Sequence, residues 1–157
     1  MEKEKLHFRI GLSGTGTKLP EFRISVGGTE YVHSTLSAND AVEYFDFDAE
    51  ISEGAHSLDI VFLNKTVHDT KLDTNGNIVK DLLLNIESIE IDDIDIGNLK
   101  WSASVYNPLY PNSYKQQVLN AGQQISNEVK NCVNLGWNGT WSLPFTSPFY
   151  IWLLENI

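Results

Sequence analysis

Every second residue is apolar along most of the first half of this chain, and that period limits what it can fold into. Leu6, Phe8, Ile10 and Leu12 alternate with His7, Arg9 and Ser13, and Phe22, Ile24 and Val26 alternate with Arg23 and Ser25. Phe45, Phe47, Ala49 and Ile51 share one parity, while Asp46, Asp48 and Glu50 share the other. Successive side chains of a strand point to opposite faces, so this pattern buries one face and leaves the other in water, as antiparallel sheets do. Turn residues at 14–17, 38–40 and 52–54 separate the runs at the spacing of a sandwich or barrel.

Two segments are more apolar than a half-buried strand requires. Residues 58–63 and 82–91 carry apolar side chains at both parities, and in the second the apolar set shifts from Leu82, Leu84 and Ile86 to Ile89 and Ile91. One extra residue near Ser88, a β-bulge, produces such a shift. Between them lies a polar loop at 65–81, long enough to carry a function of its own. A helical recurrence of Tyr114, Val118 and Ala121 predicts a short helix at about 113–120. Phe149 to Leu154 is continuously apolar and reads as a final strand. The chain is thus expected to be one domain, 1–157, with a partly irregular excursion at 97–136 and a returning strand region at 137–157.

Charge narrows the partners. The 157 residues hold 21 Asp and Glu against 11 Lys and Arg, a net charge of −10. Phosphate contacts come from clustered basic residues, so nucleic acid and anionic membrane surfaces are not expected partners. No run is long enough to span a bilayer, and M-E-K-E-K leads into no apolar signal region. The single cysteine, Cys132, forms no intrachain disulfide and reads as a packed thiol. Residues 14–18 lack the Lys-Ser/Thr pair that closes a phosphate loop, and no acid–base or nucleophile constellation occurs. An enzyme is not expected.

One stretch is rich in oxygen ligands. Asp69, Asp73, Asn75, Asn77 and Asp81 lie in one short arc bent by Gly76, with Asn64 nearby. Hard carboxylate and amide oxygens at alternate positions are what Ca2+ takes, which makes the loop a candidate calcium site. Asp73, Asn75 and Asn77 match positions one, three and five of an EF-hand, but Gly76 falls at four and Leu84 stands where the bidentate acid belongs. A turn built from Asn, Asp and Gly for backbone reasons is the alternative.

The strings I-S-V-G-G at 24–28, E-G-A-H-S-L-D-I-V-F-L-N at 53–64 and D-L-L-L-N-I-E-S-I-E-I at 81–91 resemble the calcium-dependent xylan-binding family of carbohydrate-binding modules. That resemblance, over about residues 6–92, implies a β-sandwich jelly roll whose calcium ion holds sugar hydroxyls. It places Asn64 and Asp81 at ligand positions and Glu87 where the family has a later Asp. Lys65 departs from it, standing where an acid is expected and setting an ammonium beside the cation site; Leu82 and Leu83 replace an Arg-Asn pair.

The second half resembles small structural proteins of large tailed phages of marine bacteria, through N-P-L-Y-P, N-C-V-N-L-G-W-N-G-T-W and F-T-S-P-F-Y-I-W-L-L-E-N-I. This implies a virion component made in the host cytoplasm, such as a capsid decoration, neck or fibre-associated module. Trp101, Tyr106, Tyr110 and Tyr114, beside Pro108 and Pro111, form a candidate contact surface for sugar or for another protein chain. Trp137, Trp141 and Trp152 lie among strand-like apolar residues and read as core. The leading expectation is a virion structural module bound to other virion proteins or copies of itself. The alternative is a calcium-dependent module recognising a host-surface glycan.

Overall fold

A computed structural model describes residues 3–157. In chain order, β1 (Lys3–Thr15), β2 (Glu21–Val26) and β3 (Thr29–Thr35) lead to β4 (Glu43–Ser52) and β5 (Gly54–Phe62). A 3-10 turn (Val67–Asp69) and the small hairpin of β6 (Lys71–Leu72) and β7 (Ile78–Lys80) precede β8 (Leu83–Ile91) and β9 (Ile94–Asp95). Next come α1 (Leu99–Ser102), β10 (Val105–Pro108) and α2 (Asn112–Asn120). The chain closes with β11 (Val129–Lys130), β12 (Asn134–Leu135), β13 (Gly139–Ser147) and α3 (Phe149–Asn156).

The longer strands form two antiparallel sheets. One runs β12-β8-β1-β4, with β9 on β8, and the other runs β11-β10-β13-β5-β2-β3. Their apolar faces meet: Phe8 of the first sheet lies 6.4 Å from Phe145 of the second, and Phe45 of the first lies 4.8 Å from Phe22 of the second, ring centre to ring centre. Tyr31 of β3 stacks on Phe47 of β4 and closes one side, where edge strands of the two sheets come together. The alternating runs read from the sequence are thus the strands of a β-sandwich jelly roll.

The parity shift has the physical cause expected of it. Gly11 of β1 pairs with Ser88, but the next residue, Leu12, pairs with Ile86. Glu87 is therefore the extra residue of a bulge, and it turns outward to accept a hydrogen bond from Ser13 Oγ at 2.6 Å. With that residue spare, Leu84, Ile86, Ile89 and Ile91 are all buried.

One sequence expectation is corrected, and three details are added. The segment 149–154 is not a strand but the first part of α3, with Phe149, Trp152 and Leu153 buried at helical spacing. Pro148 precedes the helix in extended conformation and lacks the N–H that a β-ladder would need. Within the long loop at 65–81, β6 and β7 pair as a small hairpin. The excursion at 97–136 supplies β10 and β11 to the edge of the second sheet and β12 to the first. Finally β3, missing from the alternating runs, is an edge strand with no fully buried residue. The short helix expected at 113–120 is α2.

The outer face of β1 carries a charged ladder rather than a site. His7 Nδ1 lies 2.8 Å from Asp48 and Nε2 3.2 Å from Asp46, both on β4. The hydrogen bond to Asp48, then that to Asp46, raises the imidazole pKa above its ordinary 6.5. A raised folded-state pKa means that His7 adds stability in full below about 6.5 and loses it as pH rises through the folded value. The ring is well exposed, so solvent screens the effect. In an NMR titration the His7 midpoint should lie above 6.5, and Asp48→Asn should bring it down; a midpoint at or below that value would show that the pairing does not hold in solution.

Candidate functional site

The site forms where the chain leaves β5, returns into β8 and enters β13. Asn64 and Asn138 are its anchors. Asn64 Oδ1 accepts from the Glu21 N–H at 2.8 Å, and its amide donates to Leu19 O at 3.0 Å. Asn138 Oδ1 accepts from the Lys65 N–H at 2.7 Å, and its Nδ2 donates to Lys65 O at 2.9 Å. Both backbone groups of Lys65 are thus held by one side chain from the far end of the sequence. Next to Asn138, Gly139 lets β10 pass close: it sits at φ 151°, and a Cβ there would lie 2.3 Å from Asn107 O.

The Lys65 side chain runs inward, only 1% exposed. Its Nζ donates to Asp81 Oδ1 and to Gly136 O, each at 2.5 Å, and lies 4.6 Å from the centre of the Trp137 ring. Asp81 Oδ1 also accepts from Thr70 Oγ1 at 2.8 Å and from the Leu82 N–H at 2.9 Å. Oδ2 of the same carboxylate has no hydrogen bond among the described residues, and the side chain is 23% exposed.

Trp137 forms the other half of the floor. Its N–H donates to Tyr106 Oη at 3.1 Å, and the same hydroxyl donates to Trp137 O. One phenol therefore satisfies both backbone groups of Trp137. Burial pushes the Tyr106 pKa well above the ordinary tyrosine value, so the hydroxyl keeps the proton it donates. The Trp137 ring lies 5.4 Å from Tyr114 and 6.4 Å from Tyr110, which are 5.3 Å from each other. Helix α2 brings Ser113, Tyr114 and Gln117 to one wall, and the β6–β7 hairpin brings Leu72 and Ile78 to the opposite one. Between them opens a cleft of about 430 Å3 with Lys65, Asp81 and Trp137 in its lining.

The predicted calcium ligands are divided among separate hydrogen-bonded groups, and only Asp73, Asn75 and Asn77 share one turn. Asp69 caps the turn at the Thr66 N–H and meets Lys18 Nζ at 3.0 Å. Asp73 accepts from the N–H groups of Asn77 and Asn75, which hold its carboxyl below the usual range, and so closes the hairpin turn. Asn75 and Asn77 enter that turn through their backbones, Asn64 pins β2, and Asp81 binds Lys65. The described residues contain no group of three or more His, Cys, Asp or Glu able to hold a metal. Local turn chemistry accounts for the loop's composition.

The predicted aromatic surface also divides. Trp101 is exposed on α1 and does not line the cleft. Tyr106 is buried and positions Trp137 instead of meeting a ligand. Tyr110 and Tyr114 pack on Trp137, so the rings fold back onto their own domain. Trp141 and Trp152 are core as expected, but Trp137 is half-buried at the cleft. Its signal was present: G-W-N-G brackets the ring with turn residues instead of a strand alternation.

The two-sheet jelly roll carries a polar and aromatic cleft built from inter-strand loops. Two solved structures share this fold, both of a module called vCBM60. One, in complex with galactobiose, is 16% identical with a TM-score of 0.52, covering 87% of this chain and 96% of the other. The second, described in connection with a circular permutation linking two families of calcium-dependent carbohydrate-binding modules, is 14% identical with a TM-score of 0.56, covering 88% and 89%. No family model and no curated protein matches the chain.

Proposed function

We propose that this chain is a non-catalytic glycan-binding module whose ligand lies in the cleft between α2 and the β6–β7 hairpin. The observation that carries it is the aromatic cluster Tyr110–Tyr114–Trp137 beside a carboxylate with one uncommitted oxygen. A sugar ring has an apolar C–H face and an equatorial rim of hydroxyls. The cleft offers the Tyr114 and Trp137 rings for the first, with Tyr110 packed against them from outside its lining, and Asp81 Oδ2, Ser113 and Gln117 for the second. Mostly apolar pockets with a few fixed polar groups are the usual form of a small-ligand site. The shared fold supports the same reading, although fold alone does not carry function.

Display on a virion, with other virion proteins as neighbours, rests on the motifs of the second half of the chain. A host-surface glycan is the ligand that would join the two readings. The test is a glycan array followed by calorimetry, with galacto- and xylo-oligosaccharides among the probes. Trp137→Ala and Tyr114→Ala should each weaken binding by at least about tenfold, equivalent to about 1.4 kcal/mol. Binding that ignores both substitutions, or a blank array, rejects the cleft as a glycan site.

A further inference from the structure

A positive charge already lies at the floor of the cleft, and its surroundings are those of a cation site. The Lys65 ammonium is held by a carboxylate oxygen of Asp81 and the main-chain oxygen of Gly136, with the Trp137 ring beside it. Lysine is almost never fully buried unless paired, and here one carboxylate and one carbonyl oxygen supply the pairing. We propose that the Lys65 ammonium is a tethered cation that organises the cleft in place of a divalent metal, so that ligand binding here is independent of calcium. This deepens the glycan-binding reading and rests on it only for the nature of the ligand.

The donor set does not fit calcium. Ca2+ takes six to eight oxygens at roughly 2.3–2.6 Å. Asp81 Oδ1 is already shared by three donors, namely Lys65 Nζ, Thr70 Oγ1 and the Leu82 N–H. Asn64, the other ligand position implied by the resemblance, spends both side-chain atoms on Glu21 and Leu19. A calcium ion bound through Asp81 would have to expel the ammonium or sit against it, and two cations sharing one oxygen repel strongly in a partly buried site.

The tether also explains what a cation does here. Asp81 lies at the exit of the β6–β7 hairpin, whereas Gly136 and Trp137 lie between β12 and β13. The ammonium joins these two loops, fixing Asp81 with Oδ2 left over and Trp137 against the aromatic cluster. Because Asn138 clamps the Lys65 backbone through both N–H and C=O, the charge is delivered from a rigid base. With two donors on protein oxygens, the Trp137 ring beside it and its side chain only 1% exposed, Lys65 is a positioning residue and not a ligand contact.

The experiment is thermal denaturation of the full chain without sugar, in millimolar Ca2+ and in EDTA. The wild-type curves should superimpose. Lys65→Asp removes the ammonium and adds a carboxylate among the oxygens it leaves, so this variant should gain a calcium-dependent rise in melting temperature. Native-state binding at a hundredfold excess over Kd predicts a rise of roughly 5–10 °C. A wild-type rise in Ca2+ that Asp81→Asn removes would overturn the proposal, and this comparison stands even if Lys65→Asp does not fold. A folded Lys65→Asp with no calcium response would overturn it as well. Since no sugar is present, a blank glycan array and a failed cation substitution are separate results.

Discussion

Replacing Lys65 by methionine is expected to remove about 3 kcal/mol of stability and lower the melting temperature by roughly 6–12 °C. Methionine keeps much of the apolar stem but deletes the charge. Asp81 Oδ1 would retain Thr70 Oγ1 and the Leu82 N–H, while Gly136 O would lose its ammonium donor. Removing one partner of a buried ion pair costs about 3–5 kcal/mol, because the other charge is left without compensation. The lower end applies here because the Asp81 side chain is 23% exposed and water can reach it. The partner variant distinguishes this account from simple loss of packing. Lys65→Met with Asp81→Leu removes both charges, and apolar replacement of a whole pair is often neutral. The double variant should therefore be more stable than Lys65→Met alone. Urea denaturation of the four proteins gives the coupling directly, and additive losses would mean that the pair is not formed in solution.

The second large effect lies in α3. Phe149→Ala should cost about 3–5 kcal/mol, since the ring is fully buried against Phe145 and Trp152. Ile151→Ala should cost under about 0.5 kcal/mol, because that side chain is 56% exposed. The pair of measurements decides between helix and strand. A strand through 149–154 would put Phe149 and Ile151 on one face, and both substitutions would be costly. A helix buries Phe149, Trp152 and Leu153 together and leaves Ile151 and Leu154 outside. Equal losses at 149 and 151 would contradict α3.

How much could be read from residue order is clearest in the contrast between β8 and α3. In β8 the apolar residues change parity at a definite place, and only a bulge lets both sets face one core. That inference needs no partner, because a strand's period is two whatever it packs against. In 149–154 all six residues are apolar, so no period can be extracted, and helix and strand are equally compatible with the string. The outcome depends on what lies beside it: α3 packs against β13, and Phe145 meets both Phe149 and Trp152. Strand β3 escaped for the opposite reason, since an edge strand with no fully buried residue has too weak an apolar face to mark itself.

By itself the sequence determined the sandwich, a bulge near Ser88 and a short helix at about 113–120, because each follows from a periodicity carried by neighbouring residues. The cleft is different, for every contact that makes it spans a long stretch of chain. Lys65 meets Gly136 across 71 residues, and Trp137 is held by Tyr106 across 31. In linear order Lys65 was only a charge opposed to a metal site, Trp137 only an apolar ring, and Tyr106 one of four candidate contact residues. Tertiary structure reversed those roles by burying the ammonium, half-exposing the tryptophan and withdrawing the tyrosine beneath it. A buried polar group must find its partners wherever the fold supplies them, and local sequence does not encode which distant carbonyl or carboxylate that will be.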